Sequence, residues 1–227
     1  MKNQETIVEG SKENGPPPNL ISVPNYVGKG TTIDDFGIHN AKEYFRLLNH
    51  AITTTQARSY EEDIGLDEAL RRLRKLCHNA LFSSTQDAKI ILIGNGGSSA
   101  IASHMATDYS KNGGIRTIAF NDSPTLTCLA NDFGTNEIFA KQLEFYALPR
   151  DIVIIVSSSG KSENILRAAE QAFQMGLSLV TFSGMNPNNV LRKKGCLSFF
   201  VPAKDYGLVE ITHLSLLHAV VSVQGEM

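Results

Sequence analysis

Hydrophobic and polar positions divide the chain into two regimes that meet near Lys89. Before that point apolar residues recur at helical spacing. Tyr44, Phe45, Leu48 and Ile52 predict a helix from about Ala41 to Ala57. Leu66, Ala69, Leu70, Leu73, Leu76, Cys77 and Ala80 form one stripe with Arg and Lys opposite, predicting a second helix from Leu66 to Phe82. Two amphipathic helices ahead of the first strand are expected to cap the core or to pair with another subunit.

From Lys89 onward the apolar residues come in short unbroken runs: "KIILIG", "RTIAF", "DIVIIVS", "LSLVTFSG" and "CLSFFVP". Each is bounded by Gly, Ser, Asn, Asp or Pro, as in strands buried on both faces. Helical segments are expected between and after them, over Ser99–Ser110, Asn136–Ala147, Glu163–Met175, Asn189–Lys194 and Leu208–Gln224. Alternating strands and helices predict an α/β fold, a doubly wound five-stranded parallel sheet flanked by helices.

Length and composition narrow this little. The 227 residues suit one domain with an extension: an arm over 1–40 rich in Gly, Pro and charge, then a domain over 41–227 that includes the two leading helices. A formal net charge of -2 argues against a nucleic-acid or anionic-membrane surface. No apolar run approaches a membrane span, and the start of the chain lacks the apolar region of a signal peptide. Three widely spaced cysteines, Cys77, Cys128 and Cys196, read as reduced thiols of a cytoplasmic protein.

Two turns carry candidate chemistry. "GNGGSS" follows the run "ILI", where doubly wound sheets collect ligands at strand carboxyl ends. Gly96 and Gly97 allow close backbone approach, Ser98 and Ser99 add hydroxyls, and the following helix N-terminus favours an anion. Taken alone, the turn fits an anion site or a plain tight turn. Gly94 and Gly96 match two glycines of a dinucleotide fingerprint, but Ser99 stands where the third belongs. The second turn, "SSSGKS" from Ser157 to Ser162, sets four hydroxyls and a run of amides around Gly160. No G-x-x-x-x-G-K-[ST] sequence is present, so a phosphorylated small molecule fits better than a nucleoside triphosphate.

With these residues the chain resembles the SIS (sugar isomerase) domain family. "GNGGSS" is similar to the family's first turn and "SSSGKS" to its phosphate loop. "LANDFG" at Leu129–Gly134 and "EITHLSLLH" at Glu210–His218 resemble the phosphoheptose isomerase branch. That resemblance implies homotetramers that convert sedoheptulose 7-phosphate to D-glycero-D-manno-heptose 7-phosphate for surface-polysaccharide precursors. It puts phosphate on Ser98, Ser157, Ser158, Ser159 and Ser162, and Asn95 and Asp132 near the sugar. Gly96, Gly97 and Glu210 join the expected substrate site. No nucleotide cofactor is implied.

Aldose–ketose isomerisation moves a proton between neighbouring carbons, which requires a base at carbon and an acid at oxygen. The resemblance assigns these roles to Asp108 and His218. Some members of the branch bind zinc, and the matching positions are His104, Asp108, Glu210 and His218. His104 and Asp108, four residues apart, share a helix face, while Glu210 and His218 lie about 80° apart around an ideal helix. Three positions depart from the branch: Asp108 replaces Glu, Glu210 replaces Gln and Gly207 replaces Asp. His39, His50 and His78 read as structural or solvated groups, and His213 as packing or interface. Two other readings stay open: an isomerase of another sugar phosphate, and a non-catalytic SIS protein that senses a phosphosugar or binds a partner.

Overall fold

A computed structural model describes residues 38, 40–81 and 88–222. The expected arm therefore lies outside the described residues save Ile38 and Asn40, as do His39, Phe82 and Gln224. The elements run α1 (Ala41–Thr53), β1 (Gln56–Ser59), β2 (Glu62–Ile64), α2 (Leu66–Leu81), β3 (Ile90–Gly94) and α3 (Gly97–Lys111). They continue with β4 (Thr117–Ala119), α4 (Ser123–Phe133), α5 (Ile138–Tyr146), β5 (Ile152–Ser157), α6 (Glu163–Gln174), β6 (Ser178–Gly184), β7 (Leu197–Val201) and α7 (Tyr206–Ser222). The five expected strands form the parallel part of one sheet, in the order β7-β6-β5-β3-β4.

Two further strands extend that sheet. β1 runs antiparallel to β7, and β2 is hairpinned onto β1 through Tyr60 and Glu61. This corrects the first helix, which ends at Thr53 rather than near Ala57. Three successive threonines stop it: Thr53, Thr54 and Thr55 each turn the hydroxyl back onto a carbonyl of the last turn. Such back-bonding, with branched side chains, competes with helix propagation.

Helix α4 was not expected. Asp122 caps it, accepting from Thr125 N at 3.0 Å, Pro124 follows within the first turn, and Gly134 ends it. The expected helix at Asn189–Lys194 is a single 3-10 turn at Leu191–Lys193. A helix-like apolar spacing there serves only to bury Leu191.

Alternation along the strands sorts the core into two layers. Ile90, Leu92, Ile154 and Val156 face α2, α3 and α7, meeting Leu73, Cys77, Met105, Tyr109 and Leu217. Ile91, Ile93, Val153 and Ile155 face α5 and α6, meeting Phe139, Leu143, Ile165 and Ala169. The apolar stripe of α2 is thus largely covered within the chain itself, since Ala69, Leu73 and Cys77 are fully buried. It does not wait for a partner. In contrast, α1 buries only Ala51 and leaves Phe45 65% exposed. At the opposite end of the sheet from the serine loop, fully buried Asp151 ties Lys89 to the 148–151 turn. It accepts from Lys89 N at 2.9 Å and Leu148 N at 2.8 Å, and pairs with Lys89 Nζ at 2.5 Å.

Candidate active site

β3 and β5 are adjacent parallel strands, so their carboxyl ends bring the glycine turn and the serine loop side by side. Gly96 adopts φ +53° and lets the chain swing from strand to helix in one step. Asn95 then clips the first turn to the start of α6: its Nδ2 donates to Asn164 Oδ1 at 2.9 Å, and Asn164 Nδ2 donates back at 3.1 Å. Between the two turns lies a cavity of about 280 Å³. Every residue expected at the substrate site lines it except Asp132, and Tyr206 joins them. Asp132 lies instead on α4, where its carboxylate accepts from Asn131 Nδ2 and Cys128 Sγ.

The cavity is lined mainly by polar groups. Ser98, Ser157 and Ser158 are buried, and Ser158 Oγ has no hydrogen-bond partner. A buried hydroxyl left unpaired costs about 1–3 kcal/mol, which a ligand oxygen would offset. Four hydroxyls ahead of α6 and the N-terminus of α3 suit an anion. Glu210 is the one acid among the lining residues, and it packs on Gly97: a Cβ there would lie only 2.3 Å from Glu210 Oε2. Burial, then the charge of Asp205, raises the Glu210 carboxyl above its ordinary range.

Farther along the same two helices, α3 and α7 bring His104, Asp108 and His218 together, with one ligand atom of each within 4.8 Å of the others. His104 Nε2 is 3.1 Å from His218 Nε2. Asp108 Oδ2 stands 3.4 Å from His218 Nδ1 and 3.8 Å from His104 Nε2. Two imidazoles and a carboxylate are zinc-type donors, and ligands of a tetrahedral zinc at about 2.1 Å sit roughly 3.4 Å from one another. The trio therefore fits a divalent ion in donor type, while the 3.1 Å and 3.4 Å separations involve different nitrogens of His218. Glu210, expected in the same ligand set, stands with the serine cavity two helical turns away.

The remaining histidines separate cleanly. His213 is fully buried, 3.1 Å through Nε2 from Ser183 O and edge-on to Phe182. It is a packing residue, and burial lowers its pKa to about 4. His50 is exposed at the end of α1. A larger open groove of about 700 Å³ between α3 and β4 carries hydroxyls and Lys111 but no acid–base pair. All three cysteines are free.

The SIS domain family model matches residues 54–184, more than half of the chain. A phosphoheptose isomerase of Thermodesulfovibrio yellowstonii is 33% identical over 172 residues, covering 71% of this chain and 85% of the relative. The chain belongs to the phosphoheptose isomerase family of SIS-domain proteins. Within that family, the Aquifex aeolicus phosphoheptose isomerase is 32% identical over 145 residues, covering 61% of this chain and 75% of that protein. In fold, this SIS-domain protein matches a phosphoheptose isomerase structure from Neisseria gonorrhoeae with a TM-score of 0.66 at 24% identity, covering 79% and 94% of the two chains. The Francisella tularensis phosphoheptose isomerase gives the same TM-score of 0.66 at 23% identity, covering 85% and 97%. Tyr206 and Asn164 are the site residues that sequence reasoning missed. Tyr206 lies just outside the quoted "EITHLSLLH", and Asn164 just after the serine loop.

Proposed function

We propose that this chain is an aldose–ketose isomerase that converts sedoheptulose 7-phosphate to D-glycero-D-manno-heptose 7-phosphate for surface-polysaccharide precursor synthesis. One observation carries the reading: an anion cavity with an unpartnered buried hydroxyl on the serine loop opens at the starts of α3 and α7, and an acid–base trio stands farther along those two helices. Seven residues of α3 separate Gly97 from His104, a rise of about 10 Å. An extended seven-carbon sugar phosphate spans roughly that length at ordinary bond lengths. Phosphate at the serines thus leaves C1 and C2 beside the trio.

The chain's own residues then supply the chemistry. Ser98, Ser157, Ser158, Ser159 and Ser162 hold the phosphate, and its binding energy orients the distant carbons. Asp108 takes the proton from C1 of the ketose, giving the 1,2-enediol as His218 donates a proton to the C2 oxygen. Asp108 returns the carbon proton to C2 and the O1 proton passes to His218, which completes the aldose and leaves substrate and both residues with no net gain or loss of protons. In a metal-loaded form His104, Asp108 and His218 would instead hold one divalent metal, zinc by donor type. When bound, such an ion polarises the substrate carbonyl as a Lewis acid.

The same reading makes the protein a cytoplasmic homotetramer. Three free thiols suit a reducing compartment, and no helix among the described residues is long and apolar enough to cross a membrane. Self-association is supported by the thinly packed α1 and by Phe173, 76% exposed on α6. NMR of sedoheptulose 7-phosphate with the protein, with and without zinc, tests the activity. Aldose signals are expected, and their absence in both samples would remove the assignment.

A further inference from the structure

We propose that Asn189, outside the cavity, is the positioning residue of the serine loop, a buried amide strut that sets the loop's shape and through it the affinity for phosphate. The inference rests on reading Ser157–Ser162 as the phosphate cradle. Asn189 lies in the turn after β6 and is only 5% exposed. Both ends of its amide are used. Nδ2 donates to Asn186 O at 2.8 Å, with longer contacts to Ser183 Oγ at 3.3 Å and Gly184 O at 3.4 Å. Oδ1 accepts from Arg192 N at 2.9 Å. Ser183 and Gly184 end β6, so the side chain is anchored to the sheet. Exchanging oxygen and nitrogen would set acceptor against acceptor at one end and donor against donor at the other, which fixes one orientation.

Gly160 rests on that amide. It adopts φ +61°, and a Cβ there would lie 2.2 Å from Asn189 Oδ1 and 2.5 Å from Cγ. Leu191 N donates to Gly160 O at 3.2 Å, so the turn also grips the loop by its backbone. On the inner side Gly160 N is folded back onto Ser157 Oγ at 3.2 Å. The loop is held between a strut anchored on β6 and its own first serine. Ser158, whose hydroxyl is buried and unpartnered, lies between these two fixed points. Hydroxyls and amides bind a phosphate well only when their arrangement is set in advance, because ordering them on binding reduces affinity. A filler of the same volume would not need hydrogen bonds at both ends.

The test compares wild type, Asn189→Ala and a control of similar destabilisation remote from the site, Leu73→Ala in α2. Each is titrated with inorganic phosphate by calorimetry, melted thermally, and followed by hydrogen exchange over residues 157–162. Asn189→Ala is expected to weaken phosphate about tenfold or more, as for loss of buried hydrogen bonds, and to speed exchange in the loop. Leu73→Ala should lower the melting temperature comparably while phosphate affinity stays within about twofold. Asn189→Ser, a milder change, should fall between, and it carries the comparison if the alanine variant does not fold. Equal loss of affinity in Asn189→Ala and Leu73→Ala, or unchanged loop exchange, overturns the proposal. If wild type takes up no phosphate, the cradle reading fails, and loop exchange alone decides the strut: faster exchange confined to 157–162 supports it, and unchanged exchange sinks it.

Discussion

His104 and His218 face each other through their Nε2 atoms at 3.1 Å, one from α3 and one from α7. Two imidazole nitrogens at that distance share one proton or one cation between them. Asp108, 3.4 Å from the far nitrogen of His218, biases which tautomer His218 adopts. The groups proposed as acid and base are therefore linked rather than independent.

Removing either should slow chemistry and spare binding. His218→Ala and Asp108→Asn are each expected to lower kcat by roughly 10²–10⁴, the usual worth of a general acid or base. KM should change little, because the proposed phosphate site begins about 10 Å away along α3. Steady-state turnover of sedoheptulose 7-phosphate, paired with phosphate titration, separates the two effects. A large rise in KM with kcat intact would place these residues in binding instead.

Ser158 should respond in opposite senses with and without ligand. Its buried hydroxyl has no partner, so Ser158→Ala should leave the ligand-free protein as stable or up to about 1 kcal/mol more stable. The same change removes a donor from the cradle, and the thermal stabilisation produced by inorganic phosphate should shrink. Melting curves with and without phosphate check both halves. A destabilised free protein with undiminished phosphate response would contradict the assignment.

Gly94 and Gly97 look alike in sequence yet should differ sharply on substitution. A Cβ at Gly94 would meet the backbone carbon and oxygen of Ser98 at 2.6 Å, and helix α3 cannot yield there without moving. Gly94→Ala should therefore cost about 1–3 kcal/mol as an overpacked site. At Gly97 the obstacle is the end of the Glu210 side chain, which can swing aside. Gly97→Ala should change stability by less than about 1 kcal/mol, within the range for replacing Gly by Ala in a helix. Urea unfolding of the two variants tests the contrast.

What the chain discloses before folding follows from how local each signal is. The parallel strands are legible because residues such as Ile90–Ile93 and Ile152–Val156 are buried on both faces and admit no polar interruption. The β1–β2 hairpin is not, because at the sheet edge only Ala57 and Ser59 need to be buried. α4 is not legible because it buries only Leu129, leaving no apolar stripe to read. The serine and glycine turns were visible, since turn chemistry is local. Two placements come from tertiary packing alone: Glu210 beside Gly97 and Asn189 against Gly160.

His213 gives the stability a pH dependence independent of the active-site histidines. The groups around it are Phe182 and Ser183 O, and its pKa falls to about 4 through burial, opposed by the bond to Ser183. In the unfolded chain the same imidazole titrates near the ordinary histidine value of about 6.5. Between these two values the unfolded state binds a proton that the folded state does not. The stability contribution of neutral His213 is therefore fully present above about pH 6.5 and is lost as pH falls toward about 4, with a slope of at most about 1.4 kcal/mol per pH unit. Below about 4 both states are protonated and the slope from this residue vanishes. His213→Gln, which has no titrating group, should be less stable than wild type at pH 7.5 because it disturbs a packed site. It should nevertheless lose less stability on going from pH 7 to pH 5. Urea unfolding midpoints at pH 7.5, 6.5, 5.5 and 4.5 for both proteins decide it. Parallel curves would mean that the acid sensitivity arises elsewhere.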